Sequence, residues 1–204
     1  MPSLSCCPSD PPPPVTGHPG AWADACLVLR MVALDPVGMG VVLRAPCGPV
    51  RDIWLAQLRA LLPPSVPVRR VPAAISDDRL LGGLDLAATL AAGRPRVERG
   101  ALAAIDGGLA VLATAERVPP ETAARICQAI DASGVAVERD GLALRHPARF
   151  GLIALDEGIA LDERPPAPLC ERAAFWIDLT MLGPRDAAPL AAGDLVLARR
   201  RLPE

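Results

Sequence analysis

Hydrophobic positions fall in short blocks whose spacing alternates between helical and extended periods. Trp22, Cys26, Leu29 and then Val32 or Ala33 recur at helical spacing and stop at Asp35-Pro36, which predicts a helix over 22–34. Val41-Val42-Leu43 is a short buried strand and Arg44–Gly48 a loop. Pro49 opens a helix to about Leu62, since proline at the first helical position loses no hydrogen bond. Trp54, Leu55, Leu58, Leu61 and Leu62 give that helix an apolar face. Val66–Val71 and Leu109–Leu112 predict two further strands. Pro119-Pro120-Glu121 begins a helix to about Ala132, with Gly134 as its left-handed terminator. Two apolar arms, Val135–Val137 and Leu142–Leu144, flank Asp140-Gly141, the residues a type I′ hairpin turn needs. Gly151–Leu155 is of buried-strand length, Leu169–Ala174 a helical turn and Phe175–Leu179 a last strand. Gly183–Glu204 reads as a short strand or tail.

Strands alternating with helices predict a parallel sheet covered on both faces. A length of 204 residues suits one domain, and with 51% hydrophobic residues but only 2% aromatics its core must be aliphatic. Residues 1–20, rich in Pro, Ser and Gly, are expected to be disordered. A net charge of −2 argues against general nucleic-acid or membrane-surface binding. No apolar run approaches the roughly 18 residues of a membrane span.

The chain contains no lysine and no asparagine. No lysine can therefore ligate phosphate, and no asparagine can orient a water. Six cysteines include no C-x-x-C pair, and His18 and His146 are the only imidazoles, so no metal site is expected. Cys127 and Cys170 read as small buried hydrophobes. The N-terminus lacks a basic n-region and a continuous apolar h-region, and the expected compartment is a reducing cytoplasm.

Three segments carry a more specific signal: GGLDL at 82–86, VERG at 97–100 and VERDGLALRHPARF at 137–150. Together they resemble the AAA+ subunits of magnesium chelatase, the enzyme that inserts Mg into protoporphyrin IX on the way to chlorophylls and bacteriochlorophylls. The resemblance runs from about Leu43 to Leu179. It implies an α/β fold: an AAA+ P-loop NTPase-like core, a parallel sheet flanked by helices, with a pre-sensor hairpin insertion. In that family, residues 76–105 correspond to a second helix interrupted by an inserted loop. The expected division is 21–182 for the AAA+-like domain and 183–204 for a tail or the start of a missing lid or linker. The lid, acidic linker and integrin-like metal domain of the family's D subunit have no counterpart in these residues, as expected of an N-terminal fragment.

A working P-loop reads G-x-x-x-x-G-K-[ST]. By resemblance, Ala45 takes the first glycine, Gly48 the family's extra glycine, Val50 the second required glycine, Arg51 the lysine and Asp52 the hydroxyl. A β-branched residue, a planar guanidinium and a carboxylate each suit polyphosphate poorly. Asp52 reads better as a first-turn carboxylate complementing the helix dipole. The Walker-B strand ends in Ala113-Thr114 rather than Asp-Glu, and Glu116 comes two residues late, so it reads as flanking the loop before Pro119. The strand ending at Leu155 is followed by Asp156-Glu157-Gly158 with no asparagine sensor, and this reads as a solvated acidic loop.

Joint failure of all three elements resembles the D subunit of magnesium chelatase, whose AAA+ module is degenerate, rather than the ATP-hydrolysing I subunit. The resemblance implies a non-hydrolysing subunit of a nitrogen–metal ligase. It would bind no cofactor itself, within a complex that uses ATP and Mg2+. Its implied partners are the I subunit, in a hetero-oligomeric ring, and indirectly the porphyrin-binding H subunit. One catalytic element is retained by resemblance: Arg172, at the position of an arginine finger acting on a neighbouring subunit's nucleotide. The competing reading is a surface arginine paired with Glu171. Arg139, Arg145 and Arg149 of the hairpin are interface candidates. The alternatives are an active ATPase of the cobalt-chelatase or MoxR type, and a purely structural module.

Overall fold

The computed structural model describes residues 20–84, 86–94, 96–139, 142–160 and 162–188. The proline-rich start, the segment beyond 188 and the Asp140-Gly141 turn lie outside the described residues. Helix α1 (Ala21–Leu34) leads to strand β1 (Val41–Arg44), helix α2 (Pro49–Leu61) and strand β2 (Val68–Val71). Strand β5 (Gly108–Leu112), helix α5 (Pro120–Ala132), strand β8 (Phe150–Asp156), the helical turn α6 (Ala167–Cys170) and strand β9 (Phe175–Asp178) complete the core. The five core strands are all parallel, in the order β2-β5-β8-β1-β9.

Strand periodicity divides the core into two layers. Val41, Leu43, Leu109, Val111, Ile153 and Leu155 face α1 and α2. Val42, Ala110, Leu112, Leu152 and Ala154, the intervening residues, face α5, α6 and the insertions. Both faces of β1, β5 and β8 are buried, which explains continuous apolar runs such as GLIAL. Trp54 of α2 is fully buried and its Nε1 donates to the Ala25 carbonyl at 3.0 Å, tying α2 to α1.

Two insertions differ in how legible they were. The hairpin β6 (Gly134–Arg139) and β7 (Leu142–Pro147) forms where expected, with Val135 and Val137 buried in the core. The left-handed residue ending α5 is Ser133 (φ 49°), not Gly134, which instead begins β6. Residues 76–105 form no continuous helix. Helix α3 (Asp77–Leu81) gives way to an antiparallel ribbon, β3 (Gly82–Leu84) and β4 (Val97–Arg99), which carries helix α4 (Leu86–Ala92). The ribbon's neck needs glycine. Gly82 has φ +92°, and a Cβ on Gly100 would lie 2.2 Å from the Leu81 carbonyl carbon.

Candidate functional site

The connection leaving β1 runs across the sheet to β2 at one edge, whereas the one leaving its neighbour β8 runs the other way to β9, so the connections diverge between these two strands. In open parallel sheets, ligand crevices lie at such a switch point, beyond the carboxyl ends of the strands. Arg44 ends β1 beside Asp156 at the end of β8 and Asp178 at the end of β9. An open cavity of about 420 Å³ lies there, lined in part by Arg44, Ala45, Pro46, Asp156, Glu157 and Asp178.

Arg44 and Asp156 form a buried ion pair with Nη1 2.8 Å from Oδ2. The Asp156 side chain is 0% exposed and that of Arg44 10%. Arg44 Nη2 also donates to the Gly158 carbonyl at 2.8 Å, and the Gly158 N–H returns a bond to Asp156 Oδ1 at 2.9 Å. Burial pushes the Asp156 carboxyl above its ordinary range, against the opposing pull of the Gly158 N–H and Arg44. The Asp156-Glu157 segment is therefore not the solvated acidic loop its composition suggests. An aspartate ending a fully buried strand beside an arginine must be paired.

Arg51 stands in the first turn of α2, at the P-loop lysine position, and is only 5% exposed. Its Nη1 lies 2.5 Å from Glu157 Oε1, its Nη2 donates to Cys47 Sγ at 3.1 Å, and Asp52 is 3.6 Å away. Burial works against the Arg51 charge, but Glu157 and Cys47 outweigh it, so its pKa is held above the ordinary value. Asp52 is exposed, as a first-turn carboxylate should be. Glu116 does more than flank a loop: its side chain is buried and accepts the Glu157 N–H at 3.0 Å. One chain of contacts thus runs from the loop after β5, through the loop after β8, to the first turn of α2. Gly48 caps α2 with an extended backbone (φ 160°, ψ −174°), and a Cβ there would meet nothing within 4 Å. Val50 is buried in the α1–α2 layer.

Cys47 is exposed, whereas Cys26, Cys127 and Cys170 are buried. Burial pushes the Cys170 thiol up to about 11. At pH 8, where only thiolates react, iodoacetamide should modify Cys47 well before these three. Peptide mass spectrometry over a time course checks this; labelling of Cys170 at the rate of Cys47 would contradict the packing.

Arg172 lies at the opposite, amino-terminal end of the sheet, between α6 and the start of β9. Nε donates to Asp131 Oδ1 at 2.9 Å, Nη2 to Oδ2, and Nη1 to the Pro168 carbonyl at 2.8 Å. Its partner is Asp131 of α5, not Glu171. The Arg172 hydrogen bond holds the Asp131 carboxyl below its ordinary value. Arg145 and Arg149 are exposed, and the Asp106 carboxylate accepts the Arg149 N–H at 2.9 Å. Arg139 lies in β6. The hairpin leads into the amino-terminal end of the central strand β8 at Phe150, so Arg145 and Arg149 lie away from the α2 loop, which follows the carboxyl end of β1. The structure gathers Gly48, Arg51 and Asp52 into one site, and Arg172 and the hairpin arginines into none of it. Sequence reading missed Arg44, Asp156 and Glu116 as members. The available signal was a charged residue closing each of two buried strands, VVLR and FGLIALD.

No protein-family model matches the chain. It is 41% identical over 186 residues to the magnesium-chelatase 60 kDa subunit of Cereibacter sphaeroides, covering 90% of this chain and 30% of that protein. By sequence, the chain is a relative of the magnesium-chelatase subunits. The 67 kDa subunit of Chlorobaculum tepidum is 33% identical over 61% of this chain and 20% of its own length. The 38 kDa subunit of Rhodobacter capsulatus is 28% identical over 80% of this chain and 54% of its own. The chain thus spans less than a third of the 60 and 67 kDa relatives. Among solved structures, a complex between subunits BchI and BchD of magnesium chelatase matches with TM-score 0.60 and 23% identity, covering 89% of this chain and 66% of that one. A putative ATPase from Cytophaga hutchinsonii matches with TM-score 0.56 at 13% identity, over 82% of this chain and 50% of that one. These neighbours bear out the AAA+-like α/β fold. No helix among the described residues is long and apolar enough to cross a membrane.

Proposed function

We propose that the chain is the degenerate AAA+ module of a magnesium-chelatase D-type subunit. It associates with the ATPase (I) subunit in a hetero-oligomeric ring and, through the porphyrin-binding (H) subunit, serves insertion of Mg2+ into protoporphyrin IX in the cytoplasm. The observation that carries this reading is the Arg51–Glu157 pair. The group that would contact the β- and γ-phosphates of ATP is a buried guanidinium already neutralised from within the chain. An incoming triphosphate would have to displace the Glu157 carboxylate and lie beside Asp52 and Asp156. No Walker-B acid is in place to hold Mg2+, because Glu116 is committed to the Glu157 backbone. The residues present do not fit ATP with Mg2+. In this reading the internal pair replaces nucleotide as the link between the α2 loop and the loop after β8, and hydrolysis belongs to the partner.

The stronger identity to the 60 kDa than to the 38 kDa relative supports the same assignment. Arg172 is proposed as the residue offered to the neighbour's nucleotide, by exchanging Asp131 for phosphate. Arg139, Arg145 and Arg149 belong to the face that meets ring neighbours. The test is association with the I-type subunit measured by surface plasmon resonance. Binding that survives Arg51→Ala, with partner ATPase activity lowered by Arg172→Ala, supports the reading. No association with the I-type subunit overturns it.

A further inference from the structure

Helix α4 reads LAATLAA and contains no charged residue, yet it stands on the surface. Leu90 is 84% exposed and Val97 of β4 is 41% exposed. Seven residues fall short of the roughly 12–15 that an isolated helix needs in water. The ribbon β3–β4 holds α4 out from the core, and the Arg96 N–H donates to Thr89 Oγ1 at 2.9 Å to close the loop onto it. Leu90 protrudes from this helix, and a shallow, open hollow of about 520 Å³ lined by Ala88, Ala91, Ala92, Arg96 and Val97 lies beside it. Arg94 and Arg96 are both exposed, and neither has an ion-pair partner among the described residues. Glu98, next to Val97 on β4, points to the opposite face of the ribbon.

From this apolar knob with its arginine rim we infer a docking surface for a protein partner that presents an apolar groove bordered by carboxylates. Resting on the reading above, the surface is assigned to contact with the I-type ATPase subunit. Charge complementarity specifies the partner: two guanidiniums without an ion-pair partner among the described residues match carboxylates bidentately, which fixes register as well as attraction. An anionic bilayer is the other surface such chemistry could meet. One protruding leucine is too small an apolar payload to hold a protein on lipid, whereas a protein pocket that encloses it while pairing both arginines at its rim gains from all three side chains.

The experiment is surface plasmon resonance of the full chain over the immobilised I-type subunit at several salt concentrations. Leu90→Asp should weaken binding about tenfold or more, the loss expected when one buried leucine is withdrawn. R94E/R96E should weaken it and flatten its salt dependence. All three positions are exposed, so thermal unfolding should match the parent chain; if Leu90→Asp unfolds, the double variant decides. Parent-like binding by the folded variants overturns this inference and leaves the proposed function standing. Absence of binding by the parent chain overturns both. A flotation assay with phosphatidylcholine–phosphatidylglycerol vesicles runs in parallel. Vesicle binding lost in Leu90→Asp, with subunit binding intact, would assign the knob to lipid and contradict the inference.

Discussion

Asp156→Ala is expected to destabilise the fold by about 3–5 kcal/mol, because it leaves the Arg44 charge buried without its counter-ion. The pair spans strands that are neighbours in the sheet but 112 residues apart in sequence. Arg44 would keep the Gly158 carbonyl, the Ala160 carbonyl at 3.3 Å and the Glu163 carbonyl at 3.4 Å, yet none of these carries a formal charge. Asp156→Asn keeps shape and one acceptor and should cost less than the alanine. The pH dependence has a defined sign. Burial raises the folded pKa of Asp156 above the unfolded one. The stability linked to its proton is therefore present below the ordinary carboxylate range and lost as pH rises through the folded value. Asp156→Asn removes that dependence. Urea unfolding at several pH values measures all three; an alanine variant as stable as the parent would contradict the buried pair.

Trp54→Ala should be comparably damaging, by about 3–5 kcal/mol, for a different reason. The indole is fully buried between α1 and the sheet, and its loss opens a cavity and removes the hydrogen bond to the Ala25 carbonyl that ties the two helices. Trp54→Phe separates the two contributions. It keeps most of the apolar volume and loses the hydrogen bond, worth about 1 kcal/mol. Calorimetric unfolding of the three proteins should rank them parent, phenylalanine, alanine. A tolerated alanine would mean that α1 does not depend on this contact.

What could be read in the sequence followed from local physics. The runs VVL, LAVL and GLIAL are apolar on both faces, which only strands buried on both sides require. The hairpin announced itself through two apolar arms around Asp-Gly. The site was only half legible. That Arg51 and Asp52 depart from a phosphate loop is visible from residue types, but where Arg51 turns instead depends on Glu157, 106 residues later. Asp156 and Glu157 looked solvated because acidic pairs next to glycine usually are; a strand that carries Asp156 to 0% exposure overrides composition. Likewise Arg172 has an adjacent carboxylate in Glu171, and only the packing of α5 on α6 reveals Asp131 as its partner. An insertion interrupting the helix of 76–105 was expected, but not its internal form, a two-stranded ribbon carrying Leu86–Ala92, because its strands have only three residues each.

The measurement that bears most directly on the central claim is nucleotide binding and turnover by the purified chain. Fluorescent mant-ATP with Mg2+ should show no saturable binding, and phosphate release should stay at the background rate in both the parent and Arg51→Ala. Turnover above background that disappears in Arg51→Ala would show Arg51 contacting phosphate rather than Glu157. It would contradict a site closed by its own ion pair.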